Sequence, residues 1–252
     1  MPYNRLIPTI LLSEGGIYKT RKFKKPIYVG DPINTVKLFN ELEADELIIL
    51  DFIVSKHNYE IDFQLLTDIA SEAFMPLSYG GGITTETQVA RLLKIGFEKV
   101  IINTSFLKNP NFISTLVNRF GAQAITISID YMRDFFGRRV VFSHAGVSHN
   151  FKSVKDAVSS AVNIGAGEVF VNCVTNDGEL SGMDKDLIID LNNSLSVPVV
   201  GCGGLKDLSE VQELFTAGVD AVAGGAFFVF KGKQRGILIS YPNNNQVVRY
   251  NR

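Results

Sequence analysis

Cysteine is scarce: the chain has two, Cys173 and Cys202, both within apolar strand-like runs. Two thiols cannot form a disulfide framework and are too few for a structural zinc site, so a reducing, cytoplasmic setting is expected. No run approaches the ~18 uninterrupted apolar residues of a membrane-spanning helix, and residues 1–25 alternate basic and apolar without a signal-peptide core. A soluble, unexported chain with no membrane partner is the expectation. An excess of one charge is also missing, since 25 Lys+Arg face 26 Asp+Glu. That balance excludes nucleic-acid binding by bulk charge and leaves a local anion site open. The histidines His57, His144 and His149 have no i,i+4 partner, so no metal is expected, and nothing calls for a cofactor. Neither a Ser-His-Asp order nor a G-x-S-x-G elbow is present, which leaves no case for acyl transfer.

The length of 252 residues fits one α/β barrel, although length alone also allows two small domains. Eight short apolar, β-prone runs occur at 5–10, 46–51, 76–79, 99–102, 124–129, 168–172, 198–200 and 221–224. Between them, 34–42, 61–72, 85–95, 109–120, 154–164, 185–191 and 208–217 carry apolar residues at 3–4-residue spacing and read as helices. Strands that are apolar throughout are buried on both faces, as parallel strands covered by helices are. Eight alternating units predict a (β/α)8 TIM barrel over 1–252. The last unit departs from the pattern: 236–242, Asn243-Asn244-Asn245 and 246–250 predict a strand-turn-strand tail in place of the eighth helix. The Gly137 turn between two β-prone pieces predicts a small hairpin after the fifth strand, at the catalytic end.

A shift of 122 residues lays 76–106 on 198–228 without a gap, pairing Pro76 with Pro198, Gly81 with Gly203, Gly82 with Gly204, Gly96 with Gly218 and Phe106 with Phe228. Two half-barrels, about 1–122 and 123–230, followed by a tail at 231–252, are the expected organisation. Gly81 and Gly82 in one half and Gly203 and Gly204 in the other follow a strand and precede a helix, where bare backbone N–H groups approach an oxyanion closely. Asn103 and Thr104, and Gly225 and Ala226, follow the next strand in each half. Two anion sites facing one mouth point to a substrate with two phosphates; the alternative is that these glycines only make tight turns.

Asp130 ends the fifth strand and directs a carboxylate into the mouth, where a general acid or base belongs. A shift of 119 residues finds its counterpart in the other half at Leu11, which moves no protons. Asp51 and Asp177 also end strands and are candidates to assist, while an Asp in that place is equally a helix cap or turn former. Arg5, Glu46, Lys99 and Glu168 start the first, second, fourth and sixth strands and are expected to ring the bottom of the bore. Two acids and two bases there make either a salt-bridged plug or a gate.

These residues resemble the cyclase subunit of imidazole glycerol phosphate synthase over almost the whole chain. The resemblance rests on Asp31-Pro32, Glu46-Leu47, Leu50-Asp51, Gly80-Gly81-Gly82-Ile83, Ile102-Asn103-Thr104, Ile129-Asp130, Gly165-Ala166-Gly167-Glu168, Asp177-Gly178 and Gly203-Gly204. It implies a glutaminase docked at the barrel bottom, whose ammonia passes the Arg5, Glu46, Lys99 and Glu168 ring as a gate. It further implies a phosphorylated small-molecule substrate with two phosphates, held in part by Gly178. Asp130 matches one of the family's two catalytic aspartates; the other falls at Leu11. The family's basic substrate loop is altered to Ser13-Glu14-Gly15-Gly16-Ile17-Tyr18-Lys19, with Lys19 retained.

These departures, with Tyr28-Val29-Gly30-Asp31-Pro32 and Leu238-Ile239-Ser240-Tyr241-Pro242, resemble a side branch associated with amidation of surface-polysaccharide sugars. The function that branch implies is ammonia delivery to acetamidino-sugar formation, with a separate sugar-amidating enzyme as a further partner. The alternatives are the lyase-type cyclase reaction of histidine biosynthesis and a non-catalytic phosphosugar-binding scaffold.

Overall fold

The computed structural model describes residues 3–54, 59–232, 234–243 and 245–250; His57 and Asn244 lie outside them. Eight parallel strands close into a barrel: β1 (Arg5–Ser13), β4 (Leu47–Asp51), β5 (Leu77–Gly80), β6 (Lys99–Ile102), β7 (Ile125–Arg133), β9 (Glu168–Cys173), β10 (Val199–Cys202) and β11 (Ala221–Gly224). The ring is closed by β1 pairing with β11, Arg5 opposite Ala221 and Pro8 opposite Gly224. All eight strands sit where the apolar runs predicted them.

Helices α1 (Pro32–Glu41), α2 (Phe63–Glu72), α3 (Glu86–Ile95), α5 (Pro110–Phe120), α6 (Val154–Asn163), α7 (Lys185–Ser194) and α8 (Leu208–Thr216) alternate with the strands as the spacing predicts. Local chemistry fixes several of their starts. Asp31 caps α1 through the Asn34 N–H with Pro32 in the first turn, and Thr85 with Gln88 forms a capping box on α3. Each helix turns an apolar stripe onto the strands: Val36 and Phe39, Val89 and Leu92, and Val211, Leu214 and Phe215 are fully buried. Such side chains each contribute roughly 1.5–3 kcal/mol by leaving water.

Side chains alternate along each strand, so one set forms this outer core and the other fills the bore. Ile7, Ile48, Ile101, Phe170, Val200, Cys202, Ala221 and Ala223 form a separate apolar cluster inside the barrel. Two short helices beyond the apolar spacing, α4 (Thr104–Lys108) and α9 (Ala226–Val229), follow the strands at the mouth. They occupy equivalent places, and the residues before them share backbone angles: Asn103 at φ −115° and ψ −75°, Gly225 at φ −116° and ψ −61°.

Besides the antiparallel pairing of the end of β1 with β2 (Gly16–Arg21), where Leu12 lies opposite Ile17, three hairpins among the described residues decorate the barrel. The one after the fifth strand is present, β7 pairing antiparallel with β8 (Arg139–Val141). The tail also contains a hairpin, but its strands are β12 (Phe230–Lys231) and β13 (Gly236–Ile237), earlier than the sequence pattern placed them. Residues 238–243 and 245–250 carry no strand. Their backbone is held instead through side chains such as Tyr241, whose hydroxyl donates to the Leu6 carbonyl at 2.8 Å. The third hairpin, β2 (Gly16–Arg21) with β3 (Lys24–Gly30), was not legible in sequence. Its turn is made by Lys22 and Phe23, both at positive φ, where glycine or asparagine would have signalled it. No helix among the described residues is long and apolar enough to cross a membrane.

Candidate functional site

At the mouth, a cavity of about 620 Å³ reaches from the Gly81–Gly82 turn down into the upper bore. Leu50, Ile101, Ser128 and Asn172 lie at its inner end, and Phe23, Phe52, Tyr59 and Phe63 line its flank. The predicted residues Asp51, Gly81, Gly82, Asn103, Thr104 and Asp130 all face it, together with Leu11. The tight turn requires glycine at Gly81: φ is +138°, and a Cβ there would meet the Asp51 backbone carbonyl. Gly203, its counterpart, has φ +94° and is overhung by the Cys173 carbonyl in the same way.

Asp130 projects from β7 between two amides. Asn172 Nδ2 donates to its Oδ1 at 3.2 Å and Asn103 Nδ2 to its Oδ2 at 3.4 Å. Burial pushes its pKa up to about 7, against the lowering effect of the Asn172 hydrogen bond, and the nearby Asp177 charge adds to the rise. A carboxyl held near neutrality is suited to both taking and giving a proton. Asp51 is pushed by burial to about 6, although the Val54 and Ile53 N–H groups favour its ionised form. Its Oδ1 accepts from Val54 N at 3.3 Å, so it shapes the loop after β4 as well as facing the cavity.

The other half of the mouth is closed. Asp177, Gly178, Gly203, Gly204, Gly225 and Ala226 surround a space of only about 10 Å³. The β2–β3 hairpin covers it: a Cβ on Gly178 would meet the Thr20 carbonyl, and one on Gly225 would meet Lys19 Nζ. Lys19 is fully buried, and its charge opposes the burial that raises the pKa of Asp177. The predicted residues of this half are thus together, with the Lys19 ammonium lodged among them.

At the bottom, Arg5 donates to Glu46 and Glu168 at 2.5 Å each, and Lys99 lies 3.4 Å from Glu46 and 3.2 Å from Glu168. Ser78 donates to Glu46 at 2.8 Å and Thr126 to Glu168 at 3.1 Å. Burial works to raise the Glu168 pKa, but Arg5 and Lys99 outweigh it and hold the carboxyl below its ordinary value. The two cations keep 24% and 19% of their side-chain surface exposed, so the ring meets the outside.

A further buried carboxylate, Asp184, was not among the residues the sequence pattern singled out. Asp184 accepts two hydrogen bonds from Arg139 at 2.7 Å, one from Tyr131 at 3.0 Å, and pairs with Arg133 at 2.9 Å, which pins the β7–β8 hairpin to the barrel. Its partners are distant in sequence and nothing near Asp184 signals them. Among the described residues no His, Cys, Asp and Glu side chains group so as to hold a metal ion.

A family model described as "Histidine biosynthesis protein" matches residues 5–234. The chain belongs to the HisF family of histidine-biosynthesis proteins. A HisF relative in Pseudomonas aeruginosa, named "Putative imidazole glycerol phosphate synthase subunit hisF2", is 41% identical over 248 residues, 98% of this chain and 99% of that protein. One in Leptospira interrogans, named in the same terms as subunit HisF, is 38% identical and covers 95% of each chain. Imidazole glycerol phosphate synthase subunit HisF of Exiguobacterium sibiricum is 34% identical, covering 90% of this chain and 91% of its own. The matched residues run from the start of β1 to beyond β11 and so span all eight strands of the barrel.

Proposed function

We propose that this HisF-family barrel delivers ammonia, received from a glutaminase docked at its bottom face, to a C–N bond-forming step at or beyond its mouth. The observation that carries the reading is the ring of Arg5, Glu46, Lys99 and Glu168 below an apolar bore, combined with a mouth where Leu11, which moves no protons, lines the cavity together with Asp130. Neutral ammonia crosses Ile7, Ile48, Ile101 and Val200 at little cost, whereas ammonium would have to shed its hydration shell. The ring excludes other cations by presenting Arg5 and Lys99 outward and leaving no carboxylate unpaired.

The acceptor is an activated sugar of surface-polysaccharide synthesis, and the product an acetamidino sugar made with a separate sugar-amidating enzyme. Leu11 and the closed half of the mouth favour this over the histidine-pathway reaction. Matching turns at Gly81 and Gly203 are read as two half-barrels, about 1–122 and 123–230, with a tail at 231–252.

The cyclase reading is kept for one observation: Asp130, near neutrality between Asn103 and Asn172, remains equipped to move a proton. The test is a turnover assay with purified barrel, the formimino ribonucleotide and saturating ammonium salt. No imidazole glycerol phosphate is expected from folded protein; its appearance would sink the ammonia-delivery reading in favour of the cyclase.

A further inference from the structure

The tail that replaces the eighth helix ends beside the ion-paired ring. From the Phe228–Tyr241 ring stack, 5.7 Å between centroids, it descends along the barrel to the bottom face. There Arg249 forks onto Asp45, with Nη2 2.9 Å from Oδ1 and Nε 3.2 Å from Oδ2. Asp45 and Leu6 are the chain neighbours of the gate residues Glu46 and Arg5, and they are tied to one another: Leu6 N donates to Asp45 Oδ2 at 2.9 Å. Tyr241 closes the network, accepting from Asp45 N at 3.2 Å and donating to Leu6 O. Tyr250 N donates to Asn4 Oδ1 at 2.8 Å, which fixes the residue before Arg5 as well. The same stretch leaves apolar surface uncovered: Tyr250, tied at Asn4 next to the start of β1, is 42% exposed, and Val248, whose N–H donates to Gln212 Oε1 on α8, is 58% exposed.

We propose that residues 247–250 position the gate. Arg249, through Asp45, holds the backbone on both sides of the Arg5–Glu46 pair, and the ammonia-supplying subunit reaches the gate by docking on Val248 and Tyr250. This rests on the ammonia-delivery reading and adds to it the part of the surface that couples docking to passage. The occupant is the ammonia source because Tyr250, bound at Asn4, adjoins Arg5 of the ring, where ammonia must be handed over without escaping, and Val248 extends that surface toward α8. Asp45 precedes Glu46 in the chain and holds the N–H of Leu6, which follows Arg5, so it transmits a displacement of the tail to both with little slack.

The experiment uses the full barrel co-expressed with a glutaminase of its own source organism. Affinity is read by calorimetry, and free ammonia released from glutamine by a coupled assay. Val248→Glu, on the surface and outside the Asp45 network, is expected to weaken the complex at least tenfold. Arg249→Ala is expected to leave the complex within about threefold of wild type but to raise the fraction of ammonia escaping to solution at least threefold, with Arg249→Lys restoring part of the retention. Melting temperatures of all variants separate these effects from unfolding. Wild-type affinity and retention in both Val248→Glu and Arg249→Ala would overturn this inference alone. A wild-type barrel that fails to bind the glutaminase at all would overturn it together with the reading it rests on.

Discussion

Leu11 and Asp130 face one cavity from equivalent register positions on their strands: Leu11 pairs with Leu50 on β4 as Asp130 pairs with Asn172 on β9. The pairing of a leucine against a carboxylate breaks the chemical symmetry of the mouth while leaving its backbone symmetry intact. Leu11 is buried and faces the cavity. Introducing a carboxylate there tests how much of the older site survives. Leu11→Asp is expected to leave ammonium-dependent conversion of the formimino ribonucleotide at the wild-type baseline, because Lys19 still fills the second anion cradle. It is also expected to cost about 1–3 kcal/mol of stability by burying a polar group. A tenfold gain in imidazole glycerol phosphate over wild type would show that one residue had silenced an intact cyclase.

Asp130 gives a pH signature. Its pKa of about 7 lies above the ordinary 3.8, so the folded protein binds a proton that the unfolded chain has released. Stability therefore falls as pH rises from about 4 to about 7 and is flat with respect to this group above that. Asp51, raised to about 6, contributes in the same sense. Asp130→Asn removes the titration and is expected to be more stable than wild type by on the order of 2 kcal/mol at pH 8, an advantage that disappears near pH 4. Denaturant melts of both proteins across this range check it; a constant difference would show that Asp130 does not titrate as its burial requires.

The barrel was legible because burial on both faces writes a continuous apolar run, and the eight strands lie where those runs are. The ring was legible for a related reason: strand starts, read in order, bring Arg5, Glu46, Lys99 and Glu168 to one end whatever the loops do. What escaped was set by contacts between distant loops. Nothing in Ser13 to Lys19 says that Lys19 folds back against Gly225, and that contact, with Thr20 lying over Gly178, closes the half of the mouth expected to hold a second anion. The Lys22–Phe23 turn lacks the residues that advertise a hairpin, and the ties from Arg249 to Asp45 depend on a tail whose path no periodicity encodes.

One open anion cradle should bind one phosphate. Titration of the barrel with a sugar monophosphate, followed by calorimetry, is expected to give a stoichiometry of one. A sugar bisphosphate is expected to bind no more than about threefold more tightly, since the Lys19-filled half offers only about 10 Å³. Gly82→Val would place its branches against Val54 in a backbone at φ +64°, and is expected to abolish binding and to cost about 2 kcal/mol or more of stability. Two equivalents of monophosphate per barrel would mean that the β2–β3 hairpin opens at small cost and that the second cradle is in use.

The ring separates a plug from a gate. Glu168 is ionised in its pairing with Arg5 and Lys99, and its lowered pKa means that it stabilises the fold above about 4.5, the ordinary value, and ceases to do so as pH falls through its depressed folded value. Glu168→Gln keeps the shape and removes the charge, leaving Arg5 and Lys99 to share Glu46. A loss of about 1–3 kcal/mol at pH 7 is expected, vanishing in acid. A plug and a gate agree on that loss and differ in transport. In the complex with glutaminase, the gate requires Glu168→Gln and Lys99→Ala to change glutamine-dependent amidation at least fivefold, while amidation supported by ammonium salt at the mouth stays within twofold of wild type. Equal turnover from both nitrogen sources in every variant would leave the four residues as a structural closure of the barrel and return the chain to the scaffold reading.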